Sequence, residues 1–270
     1  MRNSPTSFRD KYGPWALVAG ASRGLGAEFA AQLAAKGLNV VLVARNAEML
    51  ESLGARLTSE FHVQARSISL DLMRPEAASR VTAATADIEI GLLIYNAGVS
   101  VVGSFFDHPL EEHLKELDTN CRTPLALVHA LGQGMLARRR GGIVLMSSLS
   151  AVQGSALIAN YAATKAYNLI LAEGLWDELG EHGIDVLACN PSSVDTPNYR
   201  ANTPSRSSPM AAMSPRAVAA ETLAALGRQP SVIPGRTNRL AAFFMRRILT
   251  RRAAITIMGQ TMRAMYSRAP

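Results

Sequence analysis

The chain has 270 residues, 48% of them hydrophobic, which is enough to bury a core without metal or disulfide support. Its two cysteines, Cys121 and Cys189, match no metal-ligand spacing, no run of about 18 apolar residues occurs, and residues 1–13 are too polar for a signal peptide, so a metal site, a membrane span and secretion are not expected and a reducing cytoplasm is. The net charge of +7 is confined to one end: residues 1–221 carry 19 Lys/Arg against 21 Asp/Glu while residues 222–270 carry nine Arg and no acid, which argues against a nucleic-acid surface on the body of the chain.

Short Val/Ile/Leu-rich runs alternate with longer segments of helical spacing from about Trp15 to Pro234. Strands are expected over 15–20, 38–44, 62–70, 90–98, 141–148, 183–190 and 231–235, and helices over 24–36, 46–60, 74–86, 109–139, 157–181 and 215–227. The strands are apolar throughout, which fits burial on both faces, and right-handed βαβ crossovers put helices on both sides of a mostly parallel seven-stranded sheet. The expected fold is therefore a doubly wound, Rossmann-like α/β domain over 1–235, with a ligand crevice at the C-terminal ends of the strands, followed by a basic amphipathic helical tail over 236–270. The Pro-, Ser- and Asn-rich stretch 197–210 reads as a mobile surface loop.

The first strand runs straight into AGASRGLG, which sets Gly20, Gly24 and Gly26 at the mouth of a helix. Glycine lets the chain turn tightly and approach a pyrophosphate, whose charge the helix N-terminus then meets. The same glycines also fit a tight turn that holds no ligand; their place after the first strand of an alternating chain favours the dinucleotide. The second strand ends in LVARN, with Arg45 where an NAD site would carry an acid, and Arg23 stands inside the glycine loop. Two guanidinium groups there suit a 2′-phosphate, so NADP(H) is the expected cofactor. Asp71, closing the third strand, is a candidate acceptor for the adenine amino group or a helix cap.

Tyr161 and Lys165 lie four residues apart on one expected helix, and the chain holds only four lysines. A neighbouring ammonium is expected to favour the phenolate and lower the tyrosine pKa. Ser148, thirteen residues before Tyr161 at the end of the fifth strand, can donate to a substrate oxygen, while Ser147 faces the other side and packs.

In these residues the chain resembles the short-chain dehydrogenases/reductases over roughly 15–200, through AGASRGLG, YNAG (95–98), Asn120, Ser148 and YAATK. The resemblance implies Tyr161 as general acid in reduction, Ser148 polarising the carbonyl, Lys165 holding the nicotinamide ribose and Asn120 supporting a relay water. It also implies cofactor contacts from Gly20, Ser22, Arg23, Gly24, Leu25, Gly26, Arg45, Asp71, Leu72, Asn96, Ala97, Gly98, Tyr161, Lys165, Pro191, Val194 and Thr196. Two departures stand out: Tyr95 replaces the commonest asparagine of the strand-four motif, and Ser192 follows Pro191 where the family has glycine. An NADP(H)-binding regulator of the same fold that lacks turnover is the competing reading.

Val99, Val101, Leu149, Tyr199, Met210 and Met213 are expected around the substrate, which points to an apolar, lipid-like carbonyl or alcohol. A homo-oligomer is expected. In the tail, Leu240, Ala241, Phe244, Met245, Ile248 and Leu249 share one side of a helix from Arg236 to Thr250, with Arg236, Arg239, Arg246 and Arg247 opposite, and Ile255, Met258, Met262 and Met265 repeat the spacing. Three readings stay open for it: peripheral contact with an anionic membrane at the inner face, closure of the substrate entrance, or packing on the core or a second subunit.

Overall fold

Every residue of β1 (Trp15–Ala19) is buried, because the strand is covered on both faces. The computed structural model describes residues 7–201 and 212–266, and within them β1 is an interior strand, next to the central β4, of a seven-stranded, fully parallel sheet of order β3-β2-β1-β4-β5-β6-β7. The other strands are β2 (Asn39–Ala44), β3 (Ala65–Ser69), β4 (Ile90–Tyr95), β5 (Gly141–Met146), β6 (Ile184–Cys189) and β7 (Ser231–Val232). Alternate residues of β1 feed two separate cores: Ala16 and Val18 join Phe29, Leu33, Leu50 and Val218 on one face, while Leu17 and Ala19 join Leu127, Met135, Leu169 and Leu179 on the other.

The first face is covered by α2 (Gly24–Ala35), α3 (Ala47–Phe61) and α9 (Pro215–Ala225), the second by α4 (Ala77–Ala84), α6 (Thr123–Arg138) and α7 (Ala159–Gly180). A short helix α1 (Phe8–Tyr12) precedes the sheet and is tied to it by the bond from the Tyr12 hydroxyl to Asp185. The strand order reverses between β1 and β4, which opens the crevice for a ligand at their C-terminal ends.

Three expectations need correction. The third strand is shorter than 62–70: it is an edge strand whose residues are half or fully exposed, so nothing extends its pairing. The single helix over 109–139 divides into α5 (Leu110–Leu117) and α6 around a π turn, Asp118–Arg122, whose extra residue a 3.6-residue period cannot reveal. The tail is two helices, α10 (Arg236–Phe243), closed by a π turn over Phe244–Ile248, and α11 (Arg251–Tyr266), separated where Leu249 turns extended. The expected apolar side does not pack as one surface: within α10 Asn238 and Ala242 are buried and Leu240 is exposed, and in the π turn that follows Phe244 and Ile248 stay exposed. The first residues of the 197–210 loop form α8 (Pro197–Ala201); Met210 and the rest of that loop lie outside the described residues.

Candidate active site

The glycine loop is close-packed against β4 and the turn after β6. Gly20 has φ +82°, and a Cβ there would stand 2.8 Å from the Ala97 backbone; one on Gly24, at φ +59°, would meet Thr196 at 3.0 Å. A Cβ on Gly26 would collide with the Gly20 carbonyl at 1.9 Å, and that same carbonyl accepts a 3.0 Å hydrogen bond from Asn96 Nδ2. The N-terminus of α2 is left facing the crevice with no side-chain cap from Arg23. Arg23 and Arg45 are both exposed, line the same cleft and have no ion-pair partner among the described residues.

This cleft, about 2520 Å³, exceeds the roughly 300–1,000 Å³ of a pocket for one small ligand, so a dinucleotide and a second molecule fit together. Its walls include Gly20, Ser22, Arg23, Gly24, Leu25, Arg45, Asp71, Leu72, Asn96, Ala97, Gly98, Ser148, Tyr161, Lys165, Pro191, Val194 and Thr196. Gly26 lies beneath the loop instead of on the wall, packed on Gly20. Asp71 does not cap a helix: its Oδ1 accepts from the Met73 N–H at 3.1 Å. Thr196 Oγ1 accepts from Tyr199 N–H, and Val194 is paired with Met213 in an isolated bridge.

Ser148, Tyr161 and Lys165 meet at the cleft floor. Ser148 caps the 3₁₀ turn Leu149–Val152, its Oγ accepting from Ser150 N–H at 3.2 Å. Burial pushes the Tyr161 phenol up to about 12, against the opposing effect of its hydrogen bond with Ser148, and the nearby Glu116 and Tyr266 push the same way as burial. The lowering expected from Lys165 is not seen: the one opposing effect comes from Ser148, and the phenol is raised. The ammonium stands 5.6 Å from the centre of the Tyr161 ring and donates to the Met146 carbonyl at 2.9 Å, and burial drives its own pKa down to about 8. Ser147 packs as expected, its hydroxyl bonded to the Lys165 carbonyl at 2.7 Å.

Asn120 sits in the π turn behind the wall and is fully buried. Its Oδ1 accepts from Val99 N–H and its Nδ2 donates to the Val99 carbonyl and to Thr164 Oγ1, so it fixes the loop after Gly98. Tyr95, the departure from the strand-four motif, reinforces that turn by donating to the Thr119 carbonyl at 2.6 Å. Among residues around the site that sequence reasoning missed, Glu116 is the most deeply placed. It has no exposed surface, accepts from Val101 N–H at 3.0 Å and from Asn160 Nδ2 at 2.6 Å, and Asn160 also donates to the His113 carbonyl. Nothing in its spacing gave it away, because the contact joins residues 44 apart.

The substrate end differs in part from expectation. Val99, Leu149 and Tyr199 line the cleft, but Val101, whose backbone N–H is held by Glu116, does not border it, and Met213 packs against the core below Gly235. The wall is completed by the tail: Ala241 and Met245 of α10 and its π turn, and Met258, Met262, Met265 and Tyr266 of α11. The described residues hold no cluster of three or more His, Cys, Asp or Glu placed for a metal, and no helix among them is long and apolar enough to cross a membrane.

The family model for short chain dehydrogenases matches residues 14–207. A 7β-hydroxysteroid dehydrogenase of Clostridium sardiniense is 32% identical over 234 residues, covering 86% of this chain and 90% of the relative. A very-long-chain 3-oxoacyl-CoA reductase of Phaeosphaeria nodorum is 29% identical over 258 residues, covering 91% and 74%. Among solved structures, one of a 7β-hydroxysteroid dehydrogenase superposes with a TM-score of 0.87 at 29% identity, over 93% of this chain and 99% of that one. A short-chain dehydrogenase from Sphingobium yanoikuyae in complex with NADPH gives a TM-score of 0.77 at 29% identity, over 86% and 92%.

Proposed function

Since the chain belongs to the short-chain dehydrogenase family, we propose that this NADP-dependent oxidoreductase moves a hydride between the nicotinamide and a carbonyl or alcohol carbon of an apolar, lipid-like substrate, with Tyr161 as proton donor and acceptor. The observation that carries this reading is the convergence of Ser148, Tyr161 and Lys165 on one cleft whose far end is the glycine cradle flanked by Arg23 and Arg45. The nicotinamide, when bound, supplies the hydride. The loop Gly20–Gly26, including Ser22 and Leu25, would hold the pyrophosphate, Arg23 and Arg45 the 2′-phosphate, and Asp71 with Leu72 the adenine end. Asn96, Ala97 and Gly98 would border the ribose, and Pro191, Val194 and Thr196 the carboxamide.

In reduction, Ser148 donates a hydrogen bond to the carbonyl oxygen and Tyr161, held neutral by its raised pKa, passes its proton to that oxygen as charge develops. Lys165 orients the ribose and Asn120 keeps the relay side of the site in register. Relatives named for a hydroxysteroid and for a very-long-chain oxoacyl group support a large apolar substrate, as do the methionines of α11. An absorbance scan for NADPH consumption over a panel of bulky ketones and aldehydes tests the assignment; NADPH binding without turnover of any of them favours the regulator instead.

Arg45 sets the cofactor choice. Arg45→Asp should cut the preference for NADPH over NADH by about ten- to a hundredfold, the worth of one charge-assisted contact, measured as the ratio of the two dissociation constants. An unchanged ratio would sink the 2′-phosphate assignment.

The tail serves both the cleft and an exterior surface in this reading. Leu240, Phe243, Phe244 and Ile248 are all at least half exposed beside Arg246 and Arg247, and the same segment lines the cleft through Ala241 and Met245. That pairing of apolar and cationic groups suits a peripheral seat on an anionic membrane at the cytoplasmic face, next to the substrate entrance. Phe243→Ser with Phe244→Ser should abolish co-sedimentation with anionic vesicles while leaving neutral vesicles unbound throughout; equal sedimentation of both proteins counts against it. A second copy of the chain, in a homo-oligomer, would cover the exposed Leu110, Leu114 and Leu117 of α5 and Tyr167 and Ile170 of α7.

A further inference from the structure

Six buried side-chain polar atoms among the described residues have no hydrogen-bond partner, and three of them, Ser150 Oγ, Gln153 Nε2 and Ser192 Oγ, belong to residues that line the cleft. A buried donor without a partner is destabilising, so this clustering needs a reason. Ser150 and Gln153 are 7% and 4% exposed; Ser150 lies in the 3₁₀ turn Leu149–Val152 that Ser148 caps, and Gln153 follows it directly in extended backbone, both bordering the cleft. The turn is fixed at both ends: Ser148 Oγ accepts from Ser150 N–H, Leu149 N–H donates to the Pro191 carbonyl, and Arg251 at the start of α11 donates to the Val152 carbonyl. Ser150 therefore sits on a fixed turn and Gln153 directly beyond its end, next to the Val152 carbonyl that Arg251 of α11 holds, with both residues and the methionines of α11 lining the same cleft.

We propose that Ser150 and Gln153 form a polar subsite for a second oxygen function of the substrate, set apart from the carbon that reacts. The Gln153 amide is a donor and the Ser150 hydroxyl either donor or acceptor, so the group they read is a hydroxyl or keto oxygen. Ser192 adjoins Pro191 on the segment assigned above to the carboxamide and is left to the cofactor. The inference rests on the proposed carbonyl chemistry and narrows its substrate class to apolar ketones or alcohols carrying at least one further oxygen. A site whose polar groups are satisfied by the ligand rejects an analogue that lacks the group, because the protein atoms then stay unpaired.

The test compares trans-decalone with decalones carrying a second hydroxyl at each ring position, using NADPH and the full chain. At least one hydroxylated ketone should show a KM about tenfold below that of the parent, and Gln153→Leu, close in volume, should bring the ratio of the two KM values near one. Ser150→Ala should reduce the ratio in the same direction, with kcat for the hydroxylated ketone moving far less than its KM in both variants. Turnover of the decalones with a ratio that neither substitution alters overturns the subsite and leaves the oxidoreductase reading standing. No NADPH consumption with any ketone overturns both.

Discussion

Replacing Tyr161 with phenylalanine should lower kcat with the best ketone by about a thousandfold, while the dissociation constant for NADPH changes less than threefold. The ring stays in place and only the transferable proton is lost, and proton transfer by a positioned group contributes about 10²–10⁴ in rate. Burial holds the phenol at about 12, so the donor stays protonated through the neutral range and the reductive rate does not depend on its titration there. Single-turnover kinetics with NADPH in excess give the comparison directly. A variant that kept a tenth of the activity would place the proton donor elsewhere.

Lys165→Ala should affect both steps, because the ammonium is buried at the floor of the cleft beside the Tyr161 ring. A loss of about a hundredfold in kcat/KM is expected from the missing electrostatic stabilisation, together with weaker NADPH binding. The unmodified chain supplies an internal control. Burial brings Lys165 down to about 8, so it is cationic below that pH and neutral above it, and its help in binding NADPH is present at pH 7 and fades as pH rises through about 8. NADPH affinity measured from pH 6 to 9.5 should fall across that window in the unmodified chain and stay flat there in the variant. Parallel profiles for the two proteins would remove Lys165 from cofactor binding.

The parts of the site that are local in sequence were legible before the fold was known. Gly20, Gly24 and Gly26, the Tyr161–Lys165 spacing, Ser148 and the pair Arg23 and Arg45 all sit where periodicity and strand ends place them, and all but Gly26 border the cleft. The seven parallel strands and both helical layers follow from the same alternation, whereas the order of the strands comes from the structure. The features that escaped have a non-local or irregular cause. The π turns at Asp118–Arg122 and Phe244–Ile248 each insert a residue that a regular helical period averages away, which hid the break around Asn120 and the end of α10, while the packing side of α10 is carried by Asn238 and Ala242 and not by the apolar residues the spacing picks out. Val101 and Met213 look like pocket residues by composition, yet neither borders the cleft: the Val101 N–H is held by Glu116 and the half-buried Met213 packs against the core. The tail's share of the wall agrees with one of the three readings left open for it, closure of the substrate entrance; the spacing could not choose among them, because the choice depends on where α11 folds back.

The bonds of Glu116 and Asn120 decide where this enzyme can breathe. Val99 and Val101 are clamped from beneath to the same two side chains that grip Asn160 and Thr164, the neighbours of Tyr161 along α7. One lip of the cleft and the helix bearing the proton donor are thus a single anvil. Against it works the opposite lip of α10 and α11, which rests on few buried side chains, among them Asn238, Ala242, Ala254 and Met265. Opening for a bulky guest falls to that second jaw, so exchange of amide hydrogens should be fast along the tail and slow from Gly98 to Val101, with bound ligand quieting the first and leaving the second as it was.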